Sequence, residues 1–240
     1  PLITEHLRKA TAIVAEDTRT TRKLLNRYEI PVPVLISYFA GNRKRREPQI
    51  LARLDAGNDL ALVSEAGTPG INDPGSELVR VVSAAEFEVV AIPGPSAVPT
   101  LLSVSGLPSD QYTFVGFLPR RTGERSRLLG RLAELEWPLV AFESPHRLRS
   151  TLADLAEVLG DDRLIIIGRE LTKRYEEVFR GSVGDAVKRF ERPRGEFTLV
   201  IAPLEKAERR KRALAKKVRG GTEPSDPGQR RNRRSRSTPA

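Results

Sequence analysis

Carboxylate and hydroxyl side chains gather where short apolar runs of this chain end. Glu16, Asp17 and Thr18 follow the run 12–15, Ser64 and Glu65 follow 60–63, Glu143 and Ser144 close 139–143, and Glu170 comes just after 164–168. Runs of four to six apolar residues bounded by turn residues predict buried strands. Acidic groups at strand ends can hold a cation or accept a proton from a reacting hydroxyl. Two stretches add glycine and proline beside them: residues 61–75 (ALVSEAGTPGINDPG) and residues 92–96 (IPGPS). In each, a strand, an irregular loop and then a helix are predicted, the order by which open α/β sheets build ligand sites at strand carboxyl ends. Backbone at glycine can approach a ligand closely. The set suits a neutral or cationic ligand held in a cleft between two domains. A packed connection that binds nothing is the competing reading for either loop taken alone, as helix capping is for Asp17 and Thr18.

The elements that must position these groups follow from periodicity. Helices are predicted at 2–9, 20–28, 47–55 and 76–85, alternating with strands at 12–15, 34–37, 60–63 and 87–92. Ser96 is placed to cap a further helix. That alternation predicts a parallel sheet in a first α/β domain, residues 1–105. A second set predicts a mixed sheet in residues 106–203: strands 112–117, 139–143, 164–168, 177–179 and 197–202, with helices 123–135, 145–159 and 182–190.

Composition removes whole classes of chemistry. The chain has 240 residues, 41 Lys/Arg, 31 Asp/Glu, two histidines and no cysteine. Thiol nucleophiles, disulfides and thiolate metal sites are therefore excluded, and two histidines make no zinc centre. Phosphate-binding GxxxxGK[ST], dinucleotide GxGxxG and nucleophile-elbow GxSxG motifs are all absent. No apolar run approaches the ~20 residues that span a bilayer, so a soluble, cytoplasmic protein is expected. The formal charge is +10, and its location matters. Residues 204–240 carry 13 Lys/Arg against 4 Asp/Glu, leaving 28 basic and 27 acidic residues in 1–203. A basic helix is predicted at 205–219 and disorder at 220–240, a segment able to attract RNA phosphates without reading sequence.

Eight motifs in order carry a resemblance: AEDTRTTRKLL (15–25), LVSEAGTPGINDPG (62–75), IPGPSAV (92–98), GLPSD (106–110), GFLPR (116–120), FESPHRL (142–148), GRELTK (168–173) and GEFTLVI (195–201). Over residues 1–203 the chain resembles the small-subunit ribosomal RNA 2′-O-ribose methyltransferase family, which modifies a decoding-centre cytidine. That family lies within the tetrapyrrole-methylase-like class of S-adenosylmethionine enzymes. The resemblance implies two α/β/α domains with the donor in the cleft between them, a homodimer, 16S ribosomal RNA as substrate and no metal. By motif, Glu65, Ala66, Gly67, Thr68, Pro69, Gly94, Pro95, Ser96 and Ala97 would line the donor from the first domain. Phe142, Glu143, Ser144, Glu170, Leu171, Glu196, Phe197 and Thr198 would approach it from the second. Asp17, Glu16 and Arg19 would serve catalysis; Thr18, Arg120, His146 and Arg147 would contact substrate.

Candidate general bases are Asp17, Glu16, Glu65, Glu143 and His146, with Asp17 and Glu16 first on motif position; a solvated first-turn residue is the competing reading of His146. The family opens with a strand and a TPIGNL loop ahead of the helix at 2–9. Neither is in this sequence, so an N-terminally truncated first domain is expected. Glu65 stands where the family usually has Asp, and the loop 38–46 lacks the family's His/Asn-rich pattern. The alternatives are a methylase of a tetrapyrrole or other small molecule, and an inactive RNA-binding fragment. Removing residues 204–240 is expected to weaken RNA binding mainly at low salt; measured over a salt series, an unchanged dependence would count against a role for this segment.

Overall fold

A strand buried on both faces needs helices on both sides, and the first sheet meets that need. In the computed structural model, which describes residues 2–31, 34–73 and 75–204, β1 (Ala12–Ala15) lies between β2 (Leu35–Ser37) and β3 (Leu60–Val63), all parallel. Side chains alternate along β1. Ile13 faces Leu7 of α1 (Leu2–Lys9) and Leu25 of α2 (Thr18–Arg27). Ala12 and Val14 face the opposite layer, with Ile50 of α3 (Arg43–Asp55) and Leu78 and Val82 of α4 (Ser76–Ala84). The expected basic helix at 205–219 and irregular segment at 220–240 lie outside the described residues.

Residues 87–92, expected as a fourth strand, form none. No strand among the described residues pairs with them, β3 stands at the edge of its sheet, and Val89 and Val90 are exposed. Apolar β-formers make a strand only by pairing with another strand, and this run pairs with none of those described.

The following helix, α5 (Ala97–Ser103), packs against the second sheet. Its Val98, Leu101 and Leu102 share a core with Val140, Ile166 and Val200. That sheet has the order β4-β5-β8-β6-β7, with β4 (Thr113–Phe117), β5 (Leu139–Glu143), β6 (Leu164–Arg169), β7 (Glu177–Ser182) and β8 (Phe197–Ile201). Only β4 and β5 pair in parallel; β8 runs antiparallel to both β5 and β6, and β7 to β6, so the sheet is mixed as expected. On the face away from α5 lie α6 (Thr122–Leu132), α7 (Pro145–Leu159) and α8 (Val183–Arg189), around Leu129, Leu148, Leu152, Ile165, Ile167 and Leu199. Proline opens α7, where a missing N–H costs nothing. Ser182 caps α8 by accepting the Asp185 N–H at 3.0 Å. No helix among the described residues is long and apolar enough to cross a membrane.

One ion pair is buried between α6 and α7. Asp154 accepts from Arg125 at 2.5 Å, and Arg125 also donates to the carbonyls of Pro119 and Arg120. The pair therefore ties the turn after β4 to the helix layer. Asp154→Ala leaves a buried guanidinium without its counter-charge and is expected to cost ~3–5 kcal/mol in urea denaturation, whereas Arg125→Met with Asp154→Leu should recover most of that loss.

Candidate active site

Parallel strands place their carboxyl ends side by side, and here they bring three loops together. Ala15 pairs with both Ser37 and Val63, so residues 16–18, 38–42 and 64–73 follow from one edge. Glu16 is exposed there. Asp17 caps α2, its Oδ1 accepting the Arg19 N–H at 2.8 Å and its Oδ2 the Thr20 hydroxyl at 3.4 Å. The Arg19 N–H, then the Arg19 guanidinium, hold the Asp17 carboxyl below its ordinary range. Asp17 is thus an ionised acceptor and a helix cap at once. Thr18 is half-buried and Arg19 exposed.

In the second loop, Phe39 N–H donates to Asn42 Oδ1 and Asn42 Nδ2 to the Ser37 carbonyl, which fixes the start of α3. Tyr38 donates to Glu47 at 2.9 Å, and burial with that carboxylate pushes its phenol up to about 12. Tyr38 is not among the residues expected at the site; an aromatic at a strand end looks like core in a sequence, and it is core here as well.

The third loop folds on itself. Ser64 Oγ donates to the Gly67 carbonyl at 3.1 Å, and Gly67 and Gly70 take φ of +76° and +86°, a region that other residues enter only with strain. A Cβ on Gly67 would sit 3.6 Å from the Pro95 carbonyl, so the two glycine-rich loops touch. Asn72 reaches β4, where a Cβ on Gly116 would come within 2.7 Å of its side chain. Asp73 is half-buried, and its carboxyl is pushed up by burial first, then by Glu16, Glu65 and Glu196. Burial and the carboxylates of Glu16, Glu65 and Glu196 thus act together on Asp73, while Glu196 is also held by Lys173. Asp73 is legible within the GINDPG run, but sequence does not show which acids converge.

In the second sheet, register decides which side chains can meet a ligand. Thr198 pairs with Phe142 on one side and Gly168 on the other, so these three share the face covered by α5. Phe142 meets Phe114 and Phe117 edge-on, at 4.9 and 5.8 Å. Leu171 is buried against Gly168. Glu170, at φ +47°, accepts the Glu196 N–H at 2.8 Å, which holds its carboxyl below the usual range. Lys173 bridges Glu170 at 3.4 Å and Glu196 at 2.7 Å, a contact that the motifs do not reveal.

Glu143 and Phe197 stand elsewhere. Their side chains occupy the opposite face, among the helices, because each neighbours a residue that faces α5. Phe197 packs on Phe190. Glu143 is 1 % exposed and accepts from Thr151 at 2.6 Å, the Ser144 N–H at 2.8 Å and Arg147 at 3.0 Å. Arg147 donates further to the Leu118 carbonyl at 2.5 Å. This buried carboxylate is fully engaged within the fold, where it holds Arg147 in place. His146 and Arg120 are exposed, one in the first turn of α7 and one after β4; Glu65 and Ala66 are exposed, while Thr68, Pro69, Ser96, Ala97 and Ser144 are half-buried. Gly94 and Pro95 are exposed beside α1, with Ile3 3.7 Å from where a Gly94 Cβ would be.

Residues 4–187 match the family model described as Tetrapyrrole (Corrin/Porphyrin) Methylases. The chain is 46% identical over 204 residues to a "Ribosomal RNA small subunit methyltransferase I" of Synechocystis sp., covering 84% of this chain and 73% of that one. A protein of the same name from Thermotoga maritima is 46% identical over 201 residues, covering 83% and 89%. The methyltransferase CobJ, solved by crystallography, superposes with a TM-score of 0.62 at 18% identity, over 85% of this chain and 87% of that one, which speaks to fold alone. The motifs, the paired sheets and these relatives agree: the chain belongs to the tetrapyrrole methylase family, in its ribosomal RNA small subunit methyltransferase I branch.

Proposed function

We propose that this protein transfers a methyl group from S-adenosylmethionine to the 2′-hydroxyl of a cytidine ribose in the decoding centre of small-subunit ribosomal RNA. The observation that carries this reading is membership among proteins named ribosomal RNA small subunit methyltransferase I, together with two touching glycine-rich loops beside acids that push the Asp73 carboxyl up. A cluster of carboxylates disfavours an anionic ligand and favours one with net positive charge, which fits a sulfonium donor. In this reading residues 1–105 form one wall of the donor cleft and 106–203 the other. Glu65, Ala66, Gly67, Thr68, Pro69, Gly94, Pro95, Ser96 and Ala97 would hold the donor on the first wall. Phe142, Ser144, Leu171 and Thr198 would do so on the second, with Glu170 and Glu196 set by Lys173. The donor, when bound, supplies an electrophilic methyl on sulfur.

The chain's own residues have two tasks. The first is positioning, which can be worth ~7–11 kcal/mol when reacting groups are held in line. Lys44 and Arg45 are exposed at the start of α3, on the same edge as Asp17, and offer charge to the RNA backbone there. Arg147, fixed by Glu143 and the Leu118 carbonyl, offers another contact beside Arg120 and His146. The second task is to take the hydroxyl proton as its oxygen attacks. Asp17 would take it at Oδ2, whose bonds to Thr20 and Arg19 are long, while Oδ1 accepts the α2 cap N–H; Glu16 is the neighbouring alternative, and Thr18 and Arg19 complete the edge. The homodimer, the small ribosomal subunit as physical partner and a cytoplasmic location belong to this reading, supported by family membership.

Asp17→Asn separates catalysis from capping, since Asn caps as well as Asp. It is expected to keep the unfolding midpoint and the calorimetric donor affinity while losing ~10²–10⁴-fold in methyl transfer. Lost donor affinity would move Asp17 into the donor pocket, and full activity would leave it a cap.

Asp73 gives a pH test. Its folded carboxyl titrates above its ordinary value of 3.8, so the ionised form weakens the fold and stability falls as pH rises through the folded value. Asp73→Asn is therefore expected to be more stable than wild type to denaturant at neutral pH. That gain should vanish below 3.8, where Asp is protonated in both states. The same variant should bind the donor more weakly at neutral pH.

A further inference from the structure

The same edge of the second sheet carries a second feature, on the face away from α5. A concavity of about 260 Å³ is lined by Arg169, Glu177, Arg189, Phe190, Arg192, Pro193, Arg194 and Phe197. Register places Arg169 opposite both Phe197 and Glu177, and alternation along β6 puts Arg169 on the face of Ile165 and Ile167. Four arginines thus line the concavity with one carboxylate. Glu177 holds two of them, Arg169 at 3.3 Å and Arg189 at 2.6 Å. Arg169 also donates from Nε to the Arg194 carbonyl at 2.7 Å, which pins the 191–196 turn to the strand. Arg192 and Arg194 are exposed and their guanidinium groups have no ion pair among the described residues. Glu191 and Glu196 flank the turn without lining the concavity, and Glu196 is held by Lys173.

We propose that this concavity binds phosphates of the RNA backbone, as an anchoring site separate from the residues that meet the donor and the target ribose. The proposal rests on an RNA substrate. Guanidinium forks suit phosphate oxygens, and two of the four are already oriented by Glu177. The rings present, Phe190 at 5 % and Phe197 at 2 % exposed, are committed to the core. They leave no face on which a base could stack, so the site reads backbone charge and not sequence. Its position sets the function: the strand end that carries Glu196 and Thr198 toward the donor carries Phe197 toward the arginines. A strand of RNA crossing this edge would be gripped next to the reacting nucleotide.

The test uses the full chain with Arg192→Gln and Arg194→Gln together, since neither side chain supports the fold. Affinity for a small-subunit ribosomal RNA fragment is measured across a salt series. Each phosphate neutralised on single-stranded RNA adds about 0.7 to the steepness of log K against log salt, so removing two guanidinium groups is expected to reduce it by about 1.4. Methyl transfer should show a raised KM with kcat, donor affinity and melting temperature unchanged. A slope equal to wild type overturns the proposal. So does a defect seen with intact subunits but not with naked RNA, which points to an acidic protein partner. Inorganic phosphate that stabilises wild type but not the variant, with the RNA slope unmoved, would assign a small-anion site and overturn it too. A wild-type chain that binds RNA with the expected slope difference yet methylates no ribosomal RNA would sustain the anchoring site while removing the catalytic reading.

Discussion

Three strand ends, β5, β6 and β8, meet at one edge in fixed register, and successive side chains there must point to opposite faces. Phe142, Gly168 and Thr198 fall on the α5 face; Glu143, Arg169 and Phe197 fall among the helices. A one-residue shift flips every side chain of the strand that slips. In β8 it would bury Thr198 in the helix layer, and in β5 it would push Glu143 out from under α7. Register in turn is set by burial: Leu139, Ala141, Ile165, Ile167, Leu199 and Ile201 need the helix layer, at roughly 1.5–3 kcal/mol for each large side chain. The chemistry at the edge is therefore a consequence of the core behind it.

Charge at the first sheet's edge has a matching logic. Acids from β1's end, the 64–75 loop and the start of β8 stand close enough to raise Asp73. Mutual repulsion of this kind costs stability, and a cationic ligand relieves it. Lys173 already compensates the two acids of the second sheet, Glu170 and Glu196. Among the described residues Glu16, Glu65 and Asp73 have no ion pair of this kind, which is why the proposed cationic donor would gain most beside them.

Much of this is legible in the sequence. The strands at Ala12–Ala15 and Leu60–Val63 follow from apolar runs bounded by turn residues, and the parallel first sheet follows from their alternation with helices. Residues 87–92 mislead because an apolar run shows propensity but not whether it pairs with another strand. Glu143 misleads because its motif position suggests the donor, while its burial and its bonds to Thr151 and Arg147 depend on which face of β5 it occupies. The arginine-lined concavity is hidden for another reason. Residues 1–203 sum to near neutrality, and although Arg189, Arg192 and Arg194 stand close in sequence, Arg169 and Glu177 join them only through the pairing of β6 with β7 and β8.

Donor choice and substrate choice are separable, and substrate choice is the central claim. The most direct measurement incubates the protein with isotopically labelled S-adenosylmethionine and small ribosomal subunits that lack the modification, followed by nucleoside mass spectrometry of the RNA. Label is expected in 2′-O-methylcytidine from a single position of the decoding centre. Label absent from RNA but recovered in a tetrapyrrole supplied alongside would contradict the account.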